Sequence, residues 1–259
     1  MLVWSIANQK GGVGKTTTTV SLAGLLSERN KRVLLVDTDP HASLSTYLNI
    51  DSDHVPASLF DLFQLTDINR NTVMPLIMQT AYEGIDIIPA HMSLATLDRV
   101  MGSRGGMGLV LKKALRSLAD DYDYVLIDCP PILGVMMVNA LAASDRILIP
   151  VQTEFLAMKG LERMMRTLHI MQKSQPNGFK VTIVPTMYDK RTRASLQTLQ
   201  ELKVRFPEQV WASAVPIDTK FRDASIKHMP PSYFARSCRG VFAYKTLLNY
   251  LLRLEQDER

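Results

Sequence analysis

Short runs of Val, Ile and Leu alternate along this chain with longer stretches whose apolar residues recur at helical spacing. The runs at residues 2–7, 33–37, 85–89, 124–128, 146–151, 180–185 and 211–215 are nearly continuous rather than alternating. That is the pattern of strands covered on both faces. Between and after them, residues 17–27, 109–118, 156–172, 195–204 and 241–254 read as helices. Strands that alternate with helices need crossover connections, so the chain predicts an α/β fold with a mostly parallel sheet flanked by helices on both faces. No repeat, low-complexity tract or Gly/Ser linker interrupts the pattern, and one domain over residues 1–259 is expected.

Three segments break the rhythm. Residues 49–80 are polar around a small apolar cluster of Leu59, Phe60, Leu62 and Phe63, which suggests short helices on the rim. Ser103-Arg104-Gly105-Gly106 reads as a flexible turn. Residues 217–239 carry Pro230-Pro231 and many basic residues, and are expected to run over the surface.

Composition narrows the function classes. Hydrophobic residues make up 46% and charged residues 21%, an ordinary globular balance. No apolar run approaches the ~20 residues of a membrane span. The final helix spreads its apolar residues widely and ends in Glu255-Gln256-Asp257-Glu258-Arg259, so it reads as a packed helix rather than a membrane anchor. The chain reaches a glycine-rich loop by position 10, so no secretory signal is expected before it and a cytoplasmic location is. With Cys129 and Cys238 as the only cysteines, a disulfide framework or Cys-rich metal site is not expected. Cys129 reads as a small packing residue at a strand end. The five histidines show no metal-ligand spacing, and the fourteen methionines read as core or interface filler. A net charge of +5 permits an acidic partner such as DNA without requiring one. Lys190, Arg191 and Arg193, with Lys220, Arg222, Arg236 and Arg239, are the candidate basic face.

The chemistry concentrates at strand ends. Lys10-Gly11-Gly12-Val13-Gly14-Lys15-Thr16 lies between the first strand and first helix, where backbone amides and a helix N-terminus cradle phosphates. Gly14, Lys15 and Thr16 match the usual ending of such a loop. Lys15 can reach β- and γ-phosphates, and Thr16 can place its hydroxyl on Mg²⁺. The usual opening glycine is absent; Gln9 stands in its place and Lys10 follows. Lys10 has no local role, and a second cation beside a polyphosphate suggests charge supplied to a partner subunit, hence a dimer. Strand 33–37 ends in Asp37-Thr38-Asp39-Pro40, and strand 124–128 ends in Asp128-Cys129-Pro130-Pro131. In an open parallel sheet these carboxylates emerge at the loop's edge. One of Asp37 and Asp39 can support Mg²⁺ through water while the other orients an attacking water, and Asp128 suits the metal side. No glutamate follows Asp128, so hydrolysis is expected to be slow or conditional.

Taken together, these motifs resemble the ParA/MinD family of deviant phosphate-loop ATPases. The resemblance extends through Pro150-Val151-Gln152-Thr153-Glu154 and Thr186-Met187-Tyr188-Asp189 to about residue 225. It implies ATP and Mg²⁺ as ligands and an ATP-sandwich homodimer in which Lys10 crosses to the partner's phosphates. By the same resemblance Gly11, Gly12, Val13 and Gly14 line the loop, with Gly11 at the dimer seam. Lys15 would hold the β/γ-phosphates, Thr16 the metal and Thr17 the α-phosphate. Asp39 would assist hydrolysis, with Asp37 and Asp128 supporting the metal and Met187 and Pro216 near adenine. Many relatives have Gln-Gly after the Asp-Pro pair and Arg-Asn after the later proline; here His41-Ala42 and Ile217-Asp218 stand there. His41-Ala42 and Ala7-Asn8-Gln9 resemble ParA-like ATPases encoded beside chemotaxis genes. That implies a partner-stimulated switch placing chemosensory arrays at the cell pole. The alternative is a DNA-partition ATPase that binds nonspecific DNA.

Overall fold

A computed structural model of the 259-residue chain describes residues 1–97, 107–172 and 178–258. Among the described residues seven strands form one sheet: β1 (Leu2–Ile6), β2 (Val33–Asp37), β3 (Met78–Gln79), β4 (Ile85–Ile88), β5 (Tyr124–Asp128), β6 (Arg146–Gln152) and β7 (Lys180–Thr186). Their order is β3-β4-β2-β5-β1-β6-β7, parallel except for the short edge strand β3. The helices are α1 (Lys15–Ser27), α2 (Ser43–Tyr47), α3 (Leu59–Leu62), α4 (Arg70–Val73), α5 (Val110–Arg116), α6 (Val135–Ala143), α7 (Ala157–Gln172), α8 (Arg193–Arg205), α9 (Lys220–Ile226), α10 (Pro231–Phe234) and α11 (Arg239–Asp257).

The pleat sorts side chains into two cores. Val3, Leu34, Val36, Val125, Ile127, Ile147 and Ile149 face one side, where α5, α6, α7 and α8 cover them. Trp4, Ile6, Val33, Leu35, Leu126 and Leu148 face the other, under α1 and α11. Each fully buried Leu or Ile contributes ~1.5–3 kcal/mol. The same alternation fixes the site. Asp37 continues the parity of Val33 and Leu35, and Asp128 that of Tyr124 and Leu126, so both carboxylates fall on the α1 face.

After Lys15, helix α1 runs through four consecutive threonines, which are weak helix formers. Burial from Thr18 to Leu26 overrides that preference, and Thr18 hydrogen-bonds the Tyr244 hydroxyl of α11 at 2.8 Å.

One expectation is corrected and another refined. Residues 211–215 are not a strand. Trp211 N–H and Val215 N–H donate to Ile183 and Pro185 carbonyls, but the residues between make no ladder, leaving isolated bridges at Val210 and Pro216. Residues 217–239 lie largely at the surface, as expected, but they are ordered rather than irregular. They form α9 and α10, and Pro230, Pro231 and Ser232 are buried against α1, where Gly24 lets Pro230 approach so closely that a Cβ would sit 2.7 Å from it. Segment 49–80 forms the expected short helices, with Leu59, Leu62 and Phe63 in the core, and ends in β3. The turn expected at Ser103 to Gly106 lies outside the described residues. No helix among the described residues is long and apolar enough to cross a membrane, and α11 packs its apolar face on the sheet.

Candidate functional site

The loop after β1 sits between the ends of β5 and β6, its neighbours in the sheet. Gly12 and Gly14 adopt φ of +73° and +91°, which only glycine takes without strain. Nothing lies within 4 Å of where a Cβ would stand at Gly11, Gly12 or Gly14, so this rim is open space. Gly14 is the N-cap of α1 and supplies no side-chain cap, and the first turn holds no acidic residue. The amides that begin α1 therefore suit an anion brought by a ligand. Val13 is buried below the loop, and its carbonyl accepts the Thr186 hydroxyl of β7 at 2.9 Å. Thr17 lies half-buried in the first helical turn.

β2 and β5 pair in register, which sets Asp37 directly opposite Asp128. Asp128 Oδ2 accepts the Thr16 hydroxyl at 2.6 Å, and Oδ1 accepts the Thr19 hydroxyl at 3.5 Å. Burial, with the neighbouring charge of Asp37, pushes the Asp128 carboxyl up to about 8; Thr16 and Lys15 oppose the shift. Burial also raises Asp37 to about 6, held back by hydrogen bonds from Ser45. Asp37 Oδ2 accepts both the backbone N–H and hydroxyl of Ser45 in α2, and Oδ1 accepts the Asp39 N–H at 3.2 Å. Two buried carboxylates raised together are a place where a cation is welcome.

The donor set fits Mg²⁺. A threonine hydroxyl and one or two carboxylates are hard oxygen ligands, and Mg²⁺ on a nucleotide is otherwise held by phosphates and water. Among the described residues no group of three or more His, Cys, Asp or Glu side chains forms a protein-only metal cage. Asp37 already accepts three hydrogen bonds, so it suits contact through water rather than direct ligation.

Lys15 is buried, its ammonium 3.4 Å from the Lys10 carbonyl. Lys10 is not a free cation. Its ammonium donates to Gln152 Oε1 at 3.3 Å and pairs with Glu154 Oε1 at 3.5 Å, both just past or at the end of β6. Asn8 fixes the loop's start, accepting from Lys10 N–H at 3.0 Å while its amide donates to the Pro150 carbonyl. A Cβ at Gly160 of α7 would stand 3.4 Å from the Lys10 Cβ, so the glycine leaves room for the helix against the loop. The sequence quoted Gln152 and Glu154 only as part of a motif; a carboxylate at the end of a strand flanking β1 was the signal that gives Glu154 its place.

Met187 and Pro216, the two residues expected near adenine, lie close to one another. Met187 has φ +52°, its carbonyl accepts the Thr153 hydroxyl, and Tyr188 bridges to Pro216. Asp218 is a structural tie: its carboxylate accepts the N–H groups of Lys220 and Gly240, joining the starts of α9 and α11. Of the basic residues, Arg191 pairs with Asp189, Lys220 with Asp223 and Arg236 with Glu28, so part of that face is already neutralised. Cys129 is buried and packs in the core.

A family model described as an AAA domain matches residues 1–181. The chain is 35% identical to the sporulation initiation inhibitor protein Soj of Bacillus subtilis over 94% of its length and 95% of Soj. It is 34% identical to the chromosome partitioning protein ParA of Caulobacter vibrioides, covering 99% of this chain and 96% of that one. Among solved structures it is similar to cobyrinic acid a,c-diamide synthase of Mycobacterium smegmatis with bound ATP analogue and magnesium. There the TM-score is 0.85 at 34% identity, over 100% of this chain and 97% of that one. The fold also matches McdA of Cyanothece in its ATP complex, TM-score 0.86 at 21% identity, covering 97% of this chain and 96% of that one.

Proposed function

The chain belongs to the ParA/MinD family of ATPases, and from that premise we propose that it is an ATP-dependent dimerising switch that positions a protein cargo. Its ligands are ATP and Mg²⁺. The observation that carries the dimer is the placement of Lys10. It stands at an open rim beside a loop that already has Lys15, and its ammonium is held by Gln152 and Glu154 at and just past the end of β6. Exposed Ile132 and Leu133 after β5, and Phe155 and Leu156 after β6, flank that rim as an apolar frame for a second copy.

In this reading the loop amides and Lys15 bind the β- and γ-phosphates, and Thr17 meets the α-phosphate. Thr16 holds Mg²⁺, with Asp37 and Asp128 supporting it. The metal, when bound, neutralises charge gathering on the phosphate oxygens. Asp39 orients the attacking water, and Lys10 exchanges Glu154 for the phosphates of the partner's site. Met187 and Pro216 flank adenine. Cys129 stands where a glutamate base would follow Asp128, so intrinsic hydrolysis is slow and awaits a stimulating protein. A slow site completed by a second subunit suits a timer.

The cargo favoured by His41-Ala42 and Ala7-Asn8-Gln9 is a chemosensory array held at the cell pole. The name of the Caulobacter vibrioides relative, a chromosome partitioning protein, supports the second reading, a partition ATPase on nonspecific DNA, with Lys190, Arg193, Arg222 and Arg239 as the contacts. The deciding experiment is affinity capture with the Asp39→Ala chain in ATP, compared with ADP, beside a salt-titrated DNA shift. ATP-dependent recovery of array or polar proteins supports the first. Recovery of a DNA-bound partition protein, with DNA binding that falls steeply with salt, supports the second. The name of the M. smegmatis neighbour suggests a small-molecule reading, which predicts phosphate release dependent on an added acceptor and on no macromolecule.

A further inference from the structure

Asp39 does not stand alone at the end of the β2 turn. His41 Nδ1 lies 2.9 Å from Asp39 Oδ1, and the His41 backbone N–H donates to the same oxygen at 3.0 Å. A carboxylate only accepts, so Nδ1 is the donor and carries the proton. Asp39 Oδ2 has no hydrogen-bond partner among the described residues. The turn is fixed from behind by Ala42, buried and held at φ +52°, whose N–H donates to the Asp39 carbonyl at 2.8 Å. An alanine there costs about 1–2 kcal/mol relative to a residue free of Cβ strain.

We propose that His41 is a positioning residue for hydrolysis: its ring and backbone N–H together hold one oxygen of Asp39, leaving the other to accept from the attacking water. The inference rests on the reading of Asp39 as the water-orienting carboxylate. A backbone N–H alone fixes one point of the carboxylate and leaves it free to swing. The ring supplies the second point, and two donors on one oxygen define its plane. The His41 side chain is 81% exposed while that of Asp39 is 13% exposed. In open water such a bond contributes little to the fold, and it strengthens where water is excluded from this edge. Its effect is therefore expected in turnover rather than in stability.

The experiment measures kcat and KM for ATP by steady-state phosphate release, and the melting temperature, of the full chain at saturating Mg²⁺. His41→Ala should lower kcat about 2- to 10-fold, the range for loss of one solvent-screened hydrogen bond, with KM and melting temperature unchanged. His41→Asn, whose side-chain amide offers an N–H near the ring Nδ1, should restore most of the loss. Wild-type kcat in His41→Ala, when Asp39→Ala is inactive, overturns the inference and leaves the reading of Asp39 standing. A raised KM or lowered melting temperature that Asn does not rescue also overturns it, since that is a structural role. Wild-type turnover in Asp39→Ala overturns the hydrolytic reading and this inference with it.

Discussion

Asp37 and Asp128 are paired residues of adjacent strands, so the β2–β5 register brings two buried carboxylates to one side of the phosphate loop. Both are raised by burial, Asp37 to about 6 and Asp128 to about 8. A carboxyl whose folded pKa exceeds its unfolded value stabilises fully below the unfolded value, and that contribution is lost as pH rises through the folded one. Nucleotide-free protein should therefore lose stability between about pH 4 and pH 8 on account of this pair, beside whatever other groups contribute. Asp128→Asn should flatten the upper part of that fall. Thermal melts across the range test this; a slope unaltered in Asp128→Asn would contradict it.

Lys15→Ala removes the buried cation that acts on Asp128 and that is proposed to hold the phosphates. ATP affinity should fall about 100-fold, the loss expected for a strong charge-assisted contact. Equilibrium binding of a fluorescent ATP analogue reads it directly. Near-normal affinity would remove the phosphate-loop assignment.

Gly11 meets nothing within 4 Å at its Cβ position, so a larger side chain is tolerated inside one subunit. Gly11→Val should keep ATP affinity within about threefold, a change of under 1 kcal/mol, while blocking the ATP dimer. Light scattering with ATP and Mg²⁺ checks it. An intact dimer would refute placement of Gly11 at the seam.

Lys10 is held by Gln152 and Glu154 of its own chain, at side-chain exposures of 30% and 47% for the ion pair with Glu154. A pair that open is worth at most about 1 kcal/mol, small enough to be exchanged for a polyphosphate. Lys10→Ala should therefore leave the melting temperature nearly unchanged and ATP still bound, yet lower turnover by about 100-fold or more, as loss of a charge supplied in trans does. Turnover within a few-fold of wild type would show that Lys10 stays with Glu154 throughout.

Much of this was legible because of how the sheet is covered. Strands buried on both faces read as continuous apolar runs, so β1, β2, β5, β6 and β7 were found with ends good to one residue. Their closing residues then placed Asp37 and Asp128 beside the loop. The two-residue strand β3 was invisible, since Met78 and Gln79 alone carry no periodicity. Residues 211–215 had the composition of a strand but only isolated backbone partners on β7. The order within residues 217–239 was not legible because it comes from distant close contacts. Pro230 against Gly24 is one, and Phe221 is the other, so near Gly240 that a Cβ there would lie 2.2 Å from the ring. Composition cannot announce such contacts. The hold of Glu154 on Lys10 and of His41 on Asp39 likewise needed coordinates, since each joins residues whose types alone suggest solvent exposure.

The central claim is that ATP, and not ADP, joins two copies across the Lys10 rim. Sedimentation equilibrium of the Asp39→Ala chain, in Mg²⁺ with ATP and then with ADP, tests it most directly. The account predicts twice the monomer mass with ATP, the monomer mass with ADP, and reversion to monomer when Gly11→Val is added to the ATP sample. The same mass in both nucleotides would contradict it.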